Sequence, residues 1–135
     1  MAKFLKTYEI LLKKAQVDFN MAKLALDNFG KGEMELDLEV IMFHLQQCAE
    51  KIIKSYLDFN NIQFPRSHDL KYLVDFLQEK NLLFFDIKYI DFVTLLTQYA
   101  VEGRYAIIHD DIQSAEQYLE FLAELIKFVK EKTDV

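Results

Sequence analysis

Apolar residues recur every three or four positions along most of this chain, which is the spacing of one face of an α-helix. The spacing predicts five helices, over about residues 3–29, 38–59, Ser67 or Asp69 to Lys80, 87–103 and 111–131. Gly30 and Gly32 are expected to end the first helix, and Pro65 separates the second from the third. The helix over 38–59 has the widest apolar surface, so it belongs near the centre of a bundle.

The predicted last helix has two apolar stripes side by side. The first consists of Ile112, Ala115, Leu119, Leu122, Ile126 and Val129, and the second of Tyr118, Phe121, Leu125 and Phe128. One stripe fills the core. The other either completes a wide intramolecular face or is left for a partner, and on the second alternative the chain is expected to be a two-fold homodimer.

Composition narrows the fold class. The 135 residues suit one domain over 1–135, three Gly and one Pro are too few for a turn-rich β-fold, and 52% apolar residues exclude disorder. The sequence therefore predicts an all-α fold, an antiparallel, up-down bundle of about five helices.

Charge and cysteine content limit the function classes. A net charge of −6 disfavours broad electrostatic binding to nucleic acid. No apolar run approaches the roughly 18 residues that span a bilayer, and no charged-then-apolar leader comes before the first helix. The lone Cys48 is expected in the core. The expectation is a cytoplasmic protein without membrane association.

Polar residues interrupt the apolar pattern on the second helix. His44, Gln47, Lys51 and Lys54 follow one another by three, four and three, and so form one polar stripe. This stripe is either a solvated face or the lining of a cleft. Glu50 and Lys54 have the spacing of a helix-surface ion pair, worth a few tenths of a kcal/mol.

Arg66 and His68 precede the third predicted helix, where backbone N–H groups favour anions. Packing or capping is the alternative role for His68, and capping alone explains Ser67 and Asp69. The three histidines lie far apart, and metal-ligand spacings do not occur. Neither a metal nor a cofactor is predicted.

Arg104 and His109 enclose four residues near the end of the fourth helix. Arginine offers a charged fork that matches phosphate, and histidine can move a proton near neutral pH. On one continuous helix they would point about 140° apart. They can share a site only if the helix breaks, which Gly103 favours, or if a two-fold axis brings a second copy alongside.

Three segments, taken together, resemble the HEPN family of small α-helical domains. They are Phe43-x2-Gln46-Gln47-x-Ala49-Glu50-Lys51-x2-Lys54, Arg66-Ser-His68-Asp69-Leu70 and Tyr99-Ala-Val-Glu-Gly-Arg104-Tyr105. The resemblance implies an antiparallel bundle, a homodimer and, often, a neighbouring nucleotidyltransferase in a two-component module. Many members are metal-independent endoribonucleases with an arginine and a histidine separated by four to six residues, the motif that Arg104 and His109 match.

Three hypotheses about function are open, and one of them is a dimeric scaffold with neither catalysis nor ligand binding. The other two follow from the resemblance. One is a toxin-like dimer that cleaves RNA with Arg104 and His109. The other is a non-catalytic module that binds a nucleotide or docks a nucleotidyltransferase. Asp111 stands where toxin-type members have a tyrosine, and Ala106 where the nucleotidyltransferase-associated branch has a proline. The candidate contacts to RNA or nucleotide are His44, Gln47, Lys51, Arg66, His68 and Tyr105.

Overall fold

A computed structural model of the protein describes residues 5–29, 31, 37–100 and 112–134, and every regular element in these ranges is helical. The helices are α1 (Thr7–Asp27), α2 (Leu38–Phe59), α3 (Leu70–Glu79), α4 (Ile90–Thr94) and α5 (Ile112–Thr133). Short 3-10 turns, Ile87–Tyr89 and Leu95–Tyr99, flank α4 on either side. The predicted all-α class is confirmed.

Helix α2 is the centre of the bundle, because it packs against α1, α3, the 95–99 turn and α5. The start of α1 lies beside the end of α2. The Tyr8 and Phe59 ring centroids are 5.2 Å apart, and the Ser55 hydroxyl donates to the Tyr8 carbonyl at 2.9 Å. The two helices are therefore antiparallel, and they form the most extensive contact of the fold.

The core follows the apolar positions of α2 and extends to its neighbours. Its largest fully buried side chains are Leu12, Ile41, Met42, Leu45, Ile52, Ile53, Leu57, Leu70, Leu73, Leu77, Leu96 and Leu122. Six of these come from α2, as the wide apolar surface predicted.

Polar side chains define the helix boundaries. Asp37 and Asp69 accept from backbone N–H groups in the first turns of α2 and α3, each at 2.9 Å. Beyond the ends of these helices, Asn61 and Asn81 have positive φ angles of 61° and 58°. Asparagine tolerates this left-handed conformation, which lets the following N–H turn back to the last turn of the helix.

Two boundaries differ from the prediction. Helix α1 ends at Asp27, where the Asn28 side chain donates to the Leu24 carbonyl at 2.8 Å; Gly30 and Gly32 lie outside the described residues. The helix predicted over 87–103 is broken between residues 87 and 99. Its β-branched residues have weak helix propensity, and the Thr94 hydroxyl bonds back to the Asp91 carbonyl.

The second stripe of α5 is covered within the chain. Tyr118, Phe121 and Leu125 are buried, and Phe92 stacks on Tyr118 with centroids 4.0 Å apart. Phe84 stacks on Phe128 in the same way, at 5.5 Å. Of the two alternatives for this stripe, the structure shows the wide intramolecular face, because aromatic residues of the 84–92 segment pack against it.

A search of the described helices for a span long and apolar enough to cross a bilayer finds none.

Core packing at α2 predicts the effect of shortening Leu45, which is fully buried. Leu45→Ala should lower the free energy of unfolding by about 2–5 kcal/mol, since it removes apolar contacts and leaves a cavity. The control is Leu95→Ala at the start of the 95–99 turn, where the side chain is 60% exposed and the change should stay within about 0.5 kcal/mol. Urea denaturation measures both, and equal losses would contradict this packing.

Candidate functional site

Two carboxylates are buried beside the central helix in the described part of the chain. Asp18 on α1 is 8% exposed and Glu50 on α2 is 4% exposed. A charge removed from water in this way is strongly unfavourable unless charged and hydrogen-bonding partners surround it. Each of the two carboxylates has such partners, and each binds a histidine.

Asp18 joins α1 to α2. One oxygen lies 3.1 Å from Nδ1 of His44, and the other accepts from the Lys51 ammonium. His44 and Lys51 stand seven residues apart on α2, about two turns, so their side chains converge on one carboxylate between them. We call these three residues the Asp18 network.

Glu50 joins α2 to the loop before α3. Its Oε2 accepts from the Lys54 ammonium at 3.2 Å, and its Oε1 lies 2.9 Å from Nδ1 of His68. Gln46 lies one turn earlier; its amide reaches Glu50 at 3.4 Å and the His68 carbonyl at 3.0 Å. Gln47 in turn donates to Gln46 at 2.7 Å. These five residues are the Glu50 network.

The Glu50 network is buried at its base and open at one end. Gln46 is fully buried and Lys54 is 9% exposed, whereas the side chain of His68 is 71% exposed. The Lys54 ammonium also lies 5.5 Å from the centre of the Phe64 ring. A buried polar frame therefore holds an imidazole ring that faces solvent.

The first two segments of the sequence resemblance meet at this frame, and the described residues just before the third segment lie beside the second. The first and second segments are linked where Gln46 donates to the His68 carbonyl. At the start of α3, the Leu70 N–H donates to the Thr97 hydroxyl at 2.9 Å, which brings the approach to the third segment alongside the second. Tyr99 of the third segment is 3% exposed.

The polar stripe predicted on α2 divides between the two networks. His44 and Lys51 belong to the Asp18 network, whereas Gln47 and Lys54 belong to the Glu50 network. None of the four is exposed, so the stripe is not a solvated face. The Glu50–Lys54 ion pair is likewise buried instead of lying on the helix surface.

The side chains of Arg66 and His68 lie in different places, although only Ser67 stands between them in the sequence. Arg66 is exposed and lines a groove of about 770 Å³ with Lys6, Tyr8 and Phe64, while His68 turns to Glu50. Asp69 is the N-cap of α3, and the Ser67 hydroxyl accepts from the Asp69 N–H at 3.0 Å.

Arg104, Tyr105 and His109 lie outside the described residues.

Sequence reasoning missed Asp18 and gave Glu50 and Gln46 no site role. The signal for Asp18 is its place between Ala15 and Ala22 on the buried face of α1, where an apolar residue is expected. Glu50 likewise occupies a buried position of α2. A charged residue at core spacing indicates a buried ion pair or a site.

Cys48 is fully buried beside the Asp18 network. Burial raises the pKa of its thiol, the negative charge of Asp18 adds to this effect, and the positive charge of Lys51 opposes it. The thiol is therefore protonated and unreactive at neutral pH, in agreement with the predicted core role.

Over the described ranges, no group of three or more His, Cys, Asp or Glu residues could hold a metal ion.

The fold and the site define a small all-α domain with two carboxylate-bound histidines, one on its central helix and one in the loop before α3. A family model, the HEPN domain, matches residues 8–132, so the chain belongs to the HEPN family. The fold is similar to the crystal structure of an archaeal HEPN homologue, with 22% sequence identity, a TM-score of 0.66 and coverage of 96% of this chain and 99% of that chain. Comparison with curated proteins gives no match.

Because the Asp18 network is buried, removing the charge of Asp18 is expected to lower the stability of the protein substantially. Asp18→Asn should lower the free energy of unfolding by about 1.5–3 kcal/mol, because Lys51 and His44 lose a charged hydrogen-bond acceptor. Asp75→Asn is the control, since Asp75 pairs with Lys71 on the exposed face of α3 and its loss should cost less than about 1 kcal/mol. Urea denaturation compares the two, and a smaller loss for Asp18→Asn would contradict this assignment.

Proposed function

We propose that this HEPN protein is a metal-independent endoribonuclease of the toxin-like type that acts as a homodimer. The observation that carries the proposal is that the first two family-like segments meet at the Glu50 network, while the Thr97 hydroxyl, just before the third segment, accepts from the first N–H of α3. Residues far apart in the sequence are held together there by buried hydrogen bonds, next to the segment that leads to Arg104.

In the proposed reaction, Arg104 binds the scissile phosphate and stabilises the charge that develops on it. His109 is a general acid or base, acting on the leaving oxygen or on the 2′-hydroxyl. In this proposal the side chains of Arg104 and His109 carry out the reaction, and no metal ion takes part. A neighbouring nucleotidyltransferase is the proposed regulatory partner, and the chain 1–135 is proposed to work as one domain.

The exposed apolar residues of α1 support a homodimer, whereas the second apolar stripe of α5 is covered within the chain. Ile10, Val17, Met21 and Leu24 are between 40% and 61% exposed and follow helical spacing along one face of α1. Lys13 flanks this face near one end and Asp27 near the other. Asp27 pairs with Lys23 of its own helix at 3.5 Å, so the support for a second copy is the exposed apolar face of α1 itself.

The alternative function is a non-catalytic module that binds a nucleotide, and the groove beside Arg66 favours it. Lys6 and Arg66 supply positive charge for phosphate, while the Tyr8 and Phe64 rings offer surfaces on which a base can stack. Binding of nucleotide or RNA without cleavage would select this alternative.

The dimer has a direct test. Light scattering at micromolar concentration should give about twice the monomer mass of 16.0 kDa. Met21→Glu should shift the protein toward the monomer with its helical circular dichroism unchanged, because it places a charge in the middle of the α1 face. A monomeric parent protein would contradict the proposal.

The catalytic assignment predicts that His109→Ala removes RNA cleavage while the melting temperature stays close to that of the parent. General acid–base catalysis typically contributes about 10²- to 10⁴-fold to the rate. Arg104→Ala should weaken both RNA binding and turnover, and chelators should have no effect. The measurement is gel analysis of single-stranded RNA with nuclease-free protein. Intact RNA, or a His109→Ala variant as fast as the parent, would exclude this function.

A further inference from the structure

The ring of His68 has a defined orientation despite its exposure. A carboxylate only accepts hydrogen bonds, so Nδ1 of His68 carries the proton that binds Glu50 at 2.9 Å. In the neutral ring the lone pair is then on Nε2, which has no partner among the described residues. The pair thus presents a proton acceptor to solvent, at a fixed distance from a buried carboxylate.

Stability alone does not account for this arrangement. Lys54 already neutralises Glu50 through its other oxygen, and Gln46 already anchors the loop through the His68 carbonyl. An ion pair with a side chain that is 71% exposed adds little to the free energy of folding. The contact between the ring and Glu50 instead fixes the tautomer and the direction of Nε2, as carboxylate partners do for functional histidines.

We infer that His68 is the general base of RNA cleavage and that Glu50 is its positioning residue. The inference rests on the proposed endoribonuclease function and assigns one of its two proton transfers. Nε2 of His68 takes the proton of the 2′-hydroxyl, the 2′-oxygen forms a bond to phosphorus, and the bond from phosphorus to the 5′-oxygen breaks.

The leaving 5′-oxygen receives a proton from a general acid or from water. The products are a 2′,3′-cyclic phosphate and a 5′-hydroxyl, and no oxidant or reductant takes part. After the transfer His68 is an imidazolium ion, and the negative charge of Glu50 stabilises it.

Chemical rescue with imidazole tests the inference on a fluorescein-labelled single-stranded RNA. His68→Ala should lower the cleavage rate by about 10²- to 10⁴-fold, and added imidazole should restore part of it in proportion to its concentration. The melting temperature should change little because the ring is mostly exposed. Lys71→Ala, an exposed charge three residues further on, should cleave at the parental rate and gain nothing from imidazole.

Glu50→Gln tests the positioning role, since it keeps the shape of the side chain and removes its charge. Its rate should fall about 10- to 100-fold, the range typical of partners that orient a functional histidine, and imidazole should not restore it. His68→Ala keeps the inference testable if Glu50→Gln does not fold. Mass spectrometry of the early products should show the 2′,3′-cyclic phosphate.

Parental cleavage by His68→Ala, or a loss of rate that imidazole does not relieve, overturns the inference. The endoribonuclease function then still stands if the parent cleaves and His109→Ala does not. A parent protein that leaves RNA intact overturns both. Products that carry a 3′-phosphate without a cyclic precursor overturn the 2′-hydroxyl step alone.

Discussion

A carboxylate on the central helix of a bundle loses most of its hydration, and the structure around it has to supply the compensation. Glu50 is in this position, and its partners come from one turn before it, one turn after it and the loop before α3. Asp18 imposes the same constraint from α1. The placement of α1 and of the loop before α3 against α2 follows from the pairing of these two charges together with apolar packing.

The helices that sequence reasoning located well are those whose ends have a local chemical cause. Helix α2 has the predicted bounds because Asp37 caps its start and the asparagines after Phe59 allow the chain to turn. The 87–99 segment has a side-chain cap at its start, Asp86, but none at the breaks within it. Its apolar spacing suits a helix, but threonine and valine weaken the helical conformation, and the Thr97 hydroxyl is engaged by α3. Periodicity alone does not show such tertiary contacts.

Four members of the two networks could be identified from the sequence, but their partners could not. His44, Gln47, Lys51 and His68 were identified by residue type and helical spacing. Their partners were not, because His44 reaches Asp18 across 26 residues and His68 reaches Glu50 across 18. Only the packing of α1 and of the loop against α2 brings these groups together. The aromatic residues that pack on the second stripe of α5 could not be identified from the sequence for the same reason, since Phe92 and Tyr118 are also 26 residues apart.

The antiparallel pairing of α1 and α2 also has a consequence for the order of folding. Contacts between neighbouring helices close short loops at a small cost in entropy, whereas α5 has to return from the far end of the chain to reach α1 and α2. The α1–α2 hairpin, with Asp18 already paired, can therefore form while the rest of the chain is still being synthesised. Until α5 docks, part of the apolar surface of α2 is uncovered. This is the stage at which the nascent protein is most exposed to aggregation and to chaperones.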